Sequence, residues 1–83
     1  MAKNIIRGRE VETKVEREQM LENMVLINLQ ILNLGGEKIH VILNKGDEIP
    51  VDAGEELGLG DVPIASFEIV EIGAKVKFIG VEY

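Results

Sequence analysis

The sequence predicts an α+β domain: an N-terminal helix with two apolar faces, then a small antiparallel β barrel or sandwich of four to five short strands, assembled as an oligomer. Three observations predict it. Residues 10–34 are dominated by the helix formers Glu, Lys, Arg, Gln, Met and Leu and run into Gly35-Gly36, natural residues just past a helix end. Within that run Met20, Met24, Ile27, Ile31 and Leu34 recur at the 4-3-4-3 spacing of a coiled-coil seam, while Leu21, Val25, Leu29 and Leu32 form a second stripe with Val11 and Val15 upstream. From residue 37 onward, apolar and polar residues alternate between frequent turns.

Taken in order, residues 1–9 contain Gly8 and no long periodic pattern, and read as a flexible arm. The helix and oligomerisation seam follow over residues 10–34. Glu10 and Lys14 have the favourable acid-before-base i, i+4 order, and Thr13 with Glu16 has the spacing of a capping box. A rival reading exists for the second half. Ile27-Asn28-Leu29-Gln30-Ile31 alternates as a strand, Gly35-Gly36-Glu37 would turn it into a hairpin with residues 38–43, and the phase break at Ile31-Leu32 would need a bulge. In the β part, Ile39, Val41 and Leu43 share one face. Asn44-Lys45-Gly46-Asp47 is a turn with Gly46 available for positive φ, and Pro50 assigns Glu48-Ile49-Pro50-Val51 to a sheet edge. Residues 52–61 form an acidic, glycine-rich loop. Phe67 and Ile69 share a face in the next strand, and Val76 and Phe78 alternate with Lys75 and Lys77 in the last.

At 83 residues the chain makes a single domain, residues 1–83, with a small core, yet 46% of it is apolar. One helix face on the chain's own domain and one on a copy of itself reconciles the two, and unpaired sheet edges argue the same way. The oligomer interface expected is Met20, Met24, Ile27, Ile31 and Leu34, and isoleucines at both Ile27 and Ile31 point to a trimer rather than a dimer. The opening Met1-Ala2-Lys3-Asn4 leads into only two apolar residues, so no signal peptide is expected, and the apolar run over residues 24–34 is too short to span a bilayer. The expectation is a soluble protein with no membrane partner. The net charge of −6 falls mainly on the body beyond residue 19, which disfavours nucleic acid as a partner.

No constellation predicts catalysis, a metal or a cofactor. There is no cysteine for a zinc site. Asp47, Glu48, Asp52, Glu55, Glu56 and Asp61 supply oxygens for a hard cation but lack an EF-hand spacing, and read as solvated turn carboxylates. His40, the single histidine, lies with Lys38 on a polar strand face; Ser66 and Thr13 sit in no nucleophile elbow. Gly58-Leu59-Gly60 and Gly35-Gly36 complete no phosphate-loop motif. Two binding readings stay open. Arg7, Arg9, Lys14 and Arg17 would contact the phosphates of a nucleotide-type ligand held between subunits, or the acidic body would act as a decoy for a toxin or enzyme.

The segments GEELGLG at residues 54–60 and SFEIVEIGAKVKFIGVEY at residues 66–83 resemble small structural proteins of tailed-phage virions, of the head-fibre and decoration type. The resemblance covers the last third of the chain and lies in the style of sequence rather than in a diagnostic motif. It implies a non-enzymatic, self-assembling component located in the virion, partnered by itself as a homotrimer and by another virion protein. The short seam implies a compact knob or plug rather than a long shaft.

Overall fold

A computed structural model of the chain describes residues 4–83; residues 1–3, the start of the expected arm, lie outside the described residues. The described residues contain no helix. They form eight strands: β1 (Ile6–Glu12), β2 (Glu18–Gln19), β3 (Leu26–Asn33), β4 (Ile39–Leu43), β5 (Glu48–Val51), β6 (Glu56–Gly58), β7 (Phe67–Ile69) and β8 (Lys75–Glu82). Two four-stranded sheets result, one in the order β1-β8-β3-β6 and one in the order β2-β7-β4-β5, and every pair is antiparallel. The expected α+β class is therefore wrong: the protein is an all-β sandwich.

The N-terminal helix gives way because intrinsic propensity is a weak prior against long-range pairing. Strand β1 runs where the arm and the helix start were expected, and it pairs with β8 at the other end of the chain. Glu10, read as the helical i, i+4 partner of Lys14, stands instead across the strands from Lys77, as Glu12 does from Lys75. Thr13 caps no helix. It is buried, its hydroxyl donates to Glu71 O at 2.6 Å, and it accepts from Ala74 N at 2.9 Å. Glu18 instead closes the turn before β2, accepting from Lys14 N and Val15 N at 2.6 and 3.2 Å.

The strand alternative for residues 27–31 is the correct one, with two differences. The register slips between Ile27 and Gln30, where Asn28 takes a φ of 53°, so the bulge lies upstream of Ile31-Leu32. And β3 does not turn into β4; the two lie in different sheets. Only β4 and β5 form a hairpin of consecutive neighbours, with Pro50 on the edge strand as expected. Their turn places Asn44 at φ 51° and Lys45 at φ 60°, the two central residues of a type I′ geometry, and Gly46 N closes it onto Leu43 O at 3.0 Å. The positive φ thus falls on Asn44 and Lys45 rather than on Gly46.

The core lies between the sheets. Leu26, Leu29 and Ile31 of β3 and Val76 and Phe78 of β8 face Ile39, Val41, Val51, Phe67 and Ile69 of the second sheet. The Phe67 and Phe78 rings meet edge to face, with centroids 5.4 Å apart and planes at 82°. Gly80 of β8 lets β3 approach, since a Cβ there would lie 3.2 Å from the Leu26 side chain.

Candidate interaction surface

The five residues expected to form a seam do not share a stripe. Met20 and Ile31 are buried in the chain's own core, and Met24 packs against it. Ile27 is half-buried on the solvent side of β3, and Leu34 is exposed just after that strand. With no helix there is no coiled coil, and the argument for three subunits from Ile27 and Ile31 loses its basis.

An exposed apolar surface does exist, on the outer face of the first sheet. Alternation along β8 turns Val76, Phe78 and Gly80 inward and Lys75, Lys77 and Ile79 outward. The registers then build rows across the sheet. Ile6, Val81 and Ile27 stand side by side in one row; Gly8, Ile79, Gln30 and Gly58 form the next; Glu10, Lys77, Leu32 and Glu56 the third. Ile6 is 61% and Ile79 42% exposed. An aliphatic row and a charged one, with Ile79 projecting from the row between them, have the composition of a contact surface.

Strand β1 is unusual for its length. Every one of its residues except Val11 is exposed, so β8 holds it mainly through the backbone ladder. Its inner face carries Arg7 and Arg9. Arg7 makes an ion pair with Glu82 at 2.6 Å, and the Arg9 guanidinium lies 5.9 Å from the centre of the Phe78 ring. These arginines border a groove of about 350 Å³ beside Met20, Leu21 and Met24. Arg17 is engaged elsewhere, by Glu68 of β7 at 3.1 Å. The basic residues expected to hold phosphates are thus divided between the two sheets, and two of them already face carboxylates.

At one end of the sandwich, the turns around residues 33–39 and 71–75 border a cleft of about 590 Å³. His40 lies beside it, tied to Glu71 by two bonds. Its backbone N donates to Oε1 at 2.7 Å and its ring Nδ1 lies 2.6 Å from Oε2. An ionised carboxylate only accepts, so Nδ1 carries the proton. Partial burial pushes the Glu71 carboxyl up, but the His40 ring, the His40 amide and Glu71's own amide together hold it below its ordinary value of 4.5. A carboxyl lowered by folding adds stability that is fully present above the unfolded value and is lost as pH falls through the folded one. Glu71→Gln is therefore expected to be less stable than the parent above pH 4.5, with the gap closing as the pH drops below it. Urea midpoints measured across that range check it; a gap constant with pH would refute the assignment.

The acidic stretch offers no site. Asp52 N donates to Glu55 Oε1 at 2.9 Å and Lys38 lies 3.6 Å from Asp52, while no group of three acidic or histidine side chains converges among the described residues. Nor is any helix there long and apolar enough to cross a membrane. Sequence reasoning missed β1 and the outer face of its sheet, because an edge strand wet on both sides shows no hydrophobic alternation. The signal that was present is the opposition of Glu10 and Glu12 to Lys77 and Lys75, legible only once the two chain ends are paired.

No protein-family model matches the chain, and no curated protein and no solved structure matches it either.

Proposed function

We propose that this protein is a non-enzymatic structural module that associates with copies of itself through the outer face of its first sheet and attaches to a larger particle. The observation that carries the reading is the solvent-facing aliphatic row Ile6, Val81 and Ile27 with Ile79 projecting beside it. A lone soluble domain gains nothing from keeping those side chains in water, whereas a copy covering them removes apolar surface on both partners. The occupant is a second copy because the face carries its two charge signs on separate strands, glutamates on β1 and lysines on β8, an order that the same face can match. With the resemblance of residues 54–60 and 66–83 to virion proteins, a tailed-phage particle is the assembly we propose, with another virion protein as the attachment partner.

Ile79→Glu tests the reading. Ile79 already faces water on the chain's own account, so the variant is expected to fold as the parent does and to run at the monomer mass in light scattering after size exclusion, where the parent runs as an oligomer. A variant that stays assembled across a wide dilution range refutes the surface.

A further inference from the structure

Gly8 sits inside β1, where glycine weakens a strand because it has no side chain to pack. Among the described residues nothing excludes a Cβ there. Its backbone avoids the left-handed region, and a Cβ built there would meet Phe78 O at 3.4 Å, the near limit of ordinary contact, and Ile79 Cγ1 and Cβ at 3.6 and 3.7 Å. A glycine inside a strand, where no bulge or bend calls for it, often marks a site where another backbone or a ligand approaches closely. Beside this hollow, on the same outer face, stands the projecting Ile79. The next rows repeat the pairing of opposites in charge: Glu10 beside Lys77, then Glu12 beside Lys75.

The geometry points to a two-fold dimer in which this face packs on the same face of a second copy, about an axis running along the strands between β1 and β8. That rotation lays β1 of one copy over β8 of the other and keeps every row in register. Ile79 of each copy enters the hollow over the second copy's Gly8, Ile6 meets Val81, Glu10 meets Lys77 and Glu12 meets Lys75. In each charged row two carboxylates and two ammonium groups then alternate around the axis, so every charge has neighbours of opposite sign. Face-to-face stacking with strands roughly aligned is an ordinary way for sheets to pack, and the matching is tightest at the middle rows, Gly8 with Ile79 and Glu10 with Lys77. A two-fold contact is made of one patch used twice, so each of these matches occurs twice. An unrelated partner would have to reproduce the order of hollow, knob and charges, whereas a second copy carries it by construction. The inference rests on the assembly reading and gives it an axis.

The test follows solution mass over dilution for four variants of the full chain. Gly8→Val fills the hollow with a residue that suits a strand, so it is expected to melt no lower than the parent at monomeric concentration and yet to lose the dimer. Lys77→Glu and Glu10→Lys are each expected to raise the dissociation constant roughly tenfold or more by setting like charges together, and the double variant to return it close to the parent's. If the parent assembles but Gly8→Val and both single reversals leave its mass unchanged, the two-fold pairing is overturned while assembly through another surface stands. If the parent is a monomer at every concentration, both fall.

Discussion

Replacing Phe67 by alanine is expected to remove a large part of the stability of this domain. Phe67 is fully buried, sits on β7 of the second sheet and meets Phe78 of β8 in the first. Truncating a buried aromatic ring costs about 3–5 kcal/mol, since the transfer energy is lost and a cavity remains. Within that loss, the edge-to-face pair contributes roughly 0.5–1.5 kcal/mol beyond area alone. An 83-residue domain has a total stability on the order of 4–12 kcal/mol, so the loss takes from about a quarter of that stability to all of it. The loss is expected in one transition. The chain changes sheet at every connection but β4 to β5, and neither sheet can detach while the other stays folded. Phe67→Leu, which keeps most of the volume, should cost less than about 1.5 kcal/mol. Urea melts followed by far-UV circular dichroism distinguish the two. A loss below about 1 kcal/mol for Phe67→Ala would mean that the sheets do not meet at this ring pair.

The same architecture explains which elements could be read directly and which could not. Strands β5, β7 and β8 were legible because each alternates between a buried and a wetter face over its own few residues, and β4 was legible from Ile39 and Val41 although Ile42 on its other face is buried as well. Val76 and Phe78 are buried and Lys75 and Lys77 exposed, as that alternation requires. Residues 10–34 misled for two physical reasons. The extra residue at Asn28 resets the alternation, so the inward positions of β3 are Leu26, Leu29, Ile31 and Asn33, and the first interval of three imitates a helical repeat. And β1 owes its existence to a partner some seventy positions away, a pairing that no local window contains.

The surface offered as the site was hidden by the same fact. Its rows join residues from β1, β8 and β3, which become neighbours only when the ends of the chain meet. Ile27 is the one residue of the expected seam that lies on this surface. Met20 and Ile31, assigned to the same seam, are core, so Ile31→Asp would report on folding rather than on assembly. Apolar content beyond what a small core holds is the reason the composition offers for expecting an oligomer. Which apolar residues are surplus depends on the sheet registers.

Asn33 is a polar residue held inside the core, and Asn33→Asp is expected to be a severely damaging isosteric change. Its side chain is fully buried at the end of β3. The amide nitrogen donates to Glu37 O at 2.8 Å and Val51 O at 3.1 Å, and Oδ1 accepts from Gly35 N at 3.0 Å. Its backbone binds the 52–55 turn as well, donating to Glu55 O at 3.0 Å and accepting from Gly54 N at 2.9 Å. One side chain thus ties the end of the first sheet to β5 of the second and to the bend that carries the chain between them. A carboxylate of the same shape donates nothing, and it sets a negative charge against two carbonyl oxygens in a dry site. Each buried group left unpaired costs about 1–3 kcal/mol, and more where a charge is involved. A loss of roughly 3 kcal/mol or more follows at neutral pH. Burial and the facing carbonyls raise the folded pKa of the introduced carboxyl, so the penalty is greatest above its unfolded value and shrinks as pH falls, when the protonated group again donates one hydrogen bond. Asn33→Ala leaves the same carbonyls unpaired without a charge, so its deficit should not depend on pH in this way. Urea midpoints for both variants at neutral and at acidic pH decide the point: an Asn33→Asp deficit that does not narrow on acidification would show that the introduced group reaches water, and that the site is not the sealed junction between the sheets.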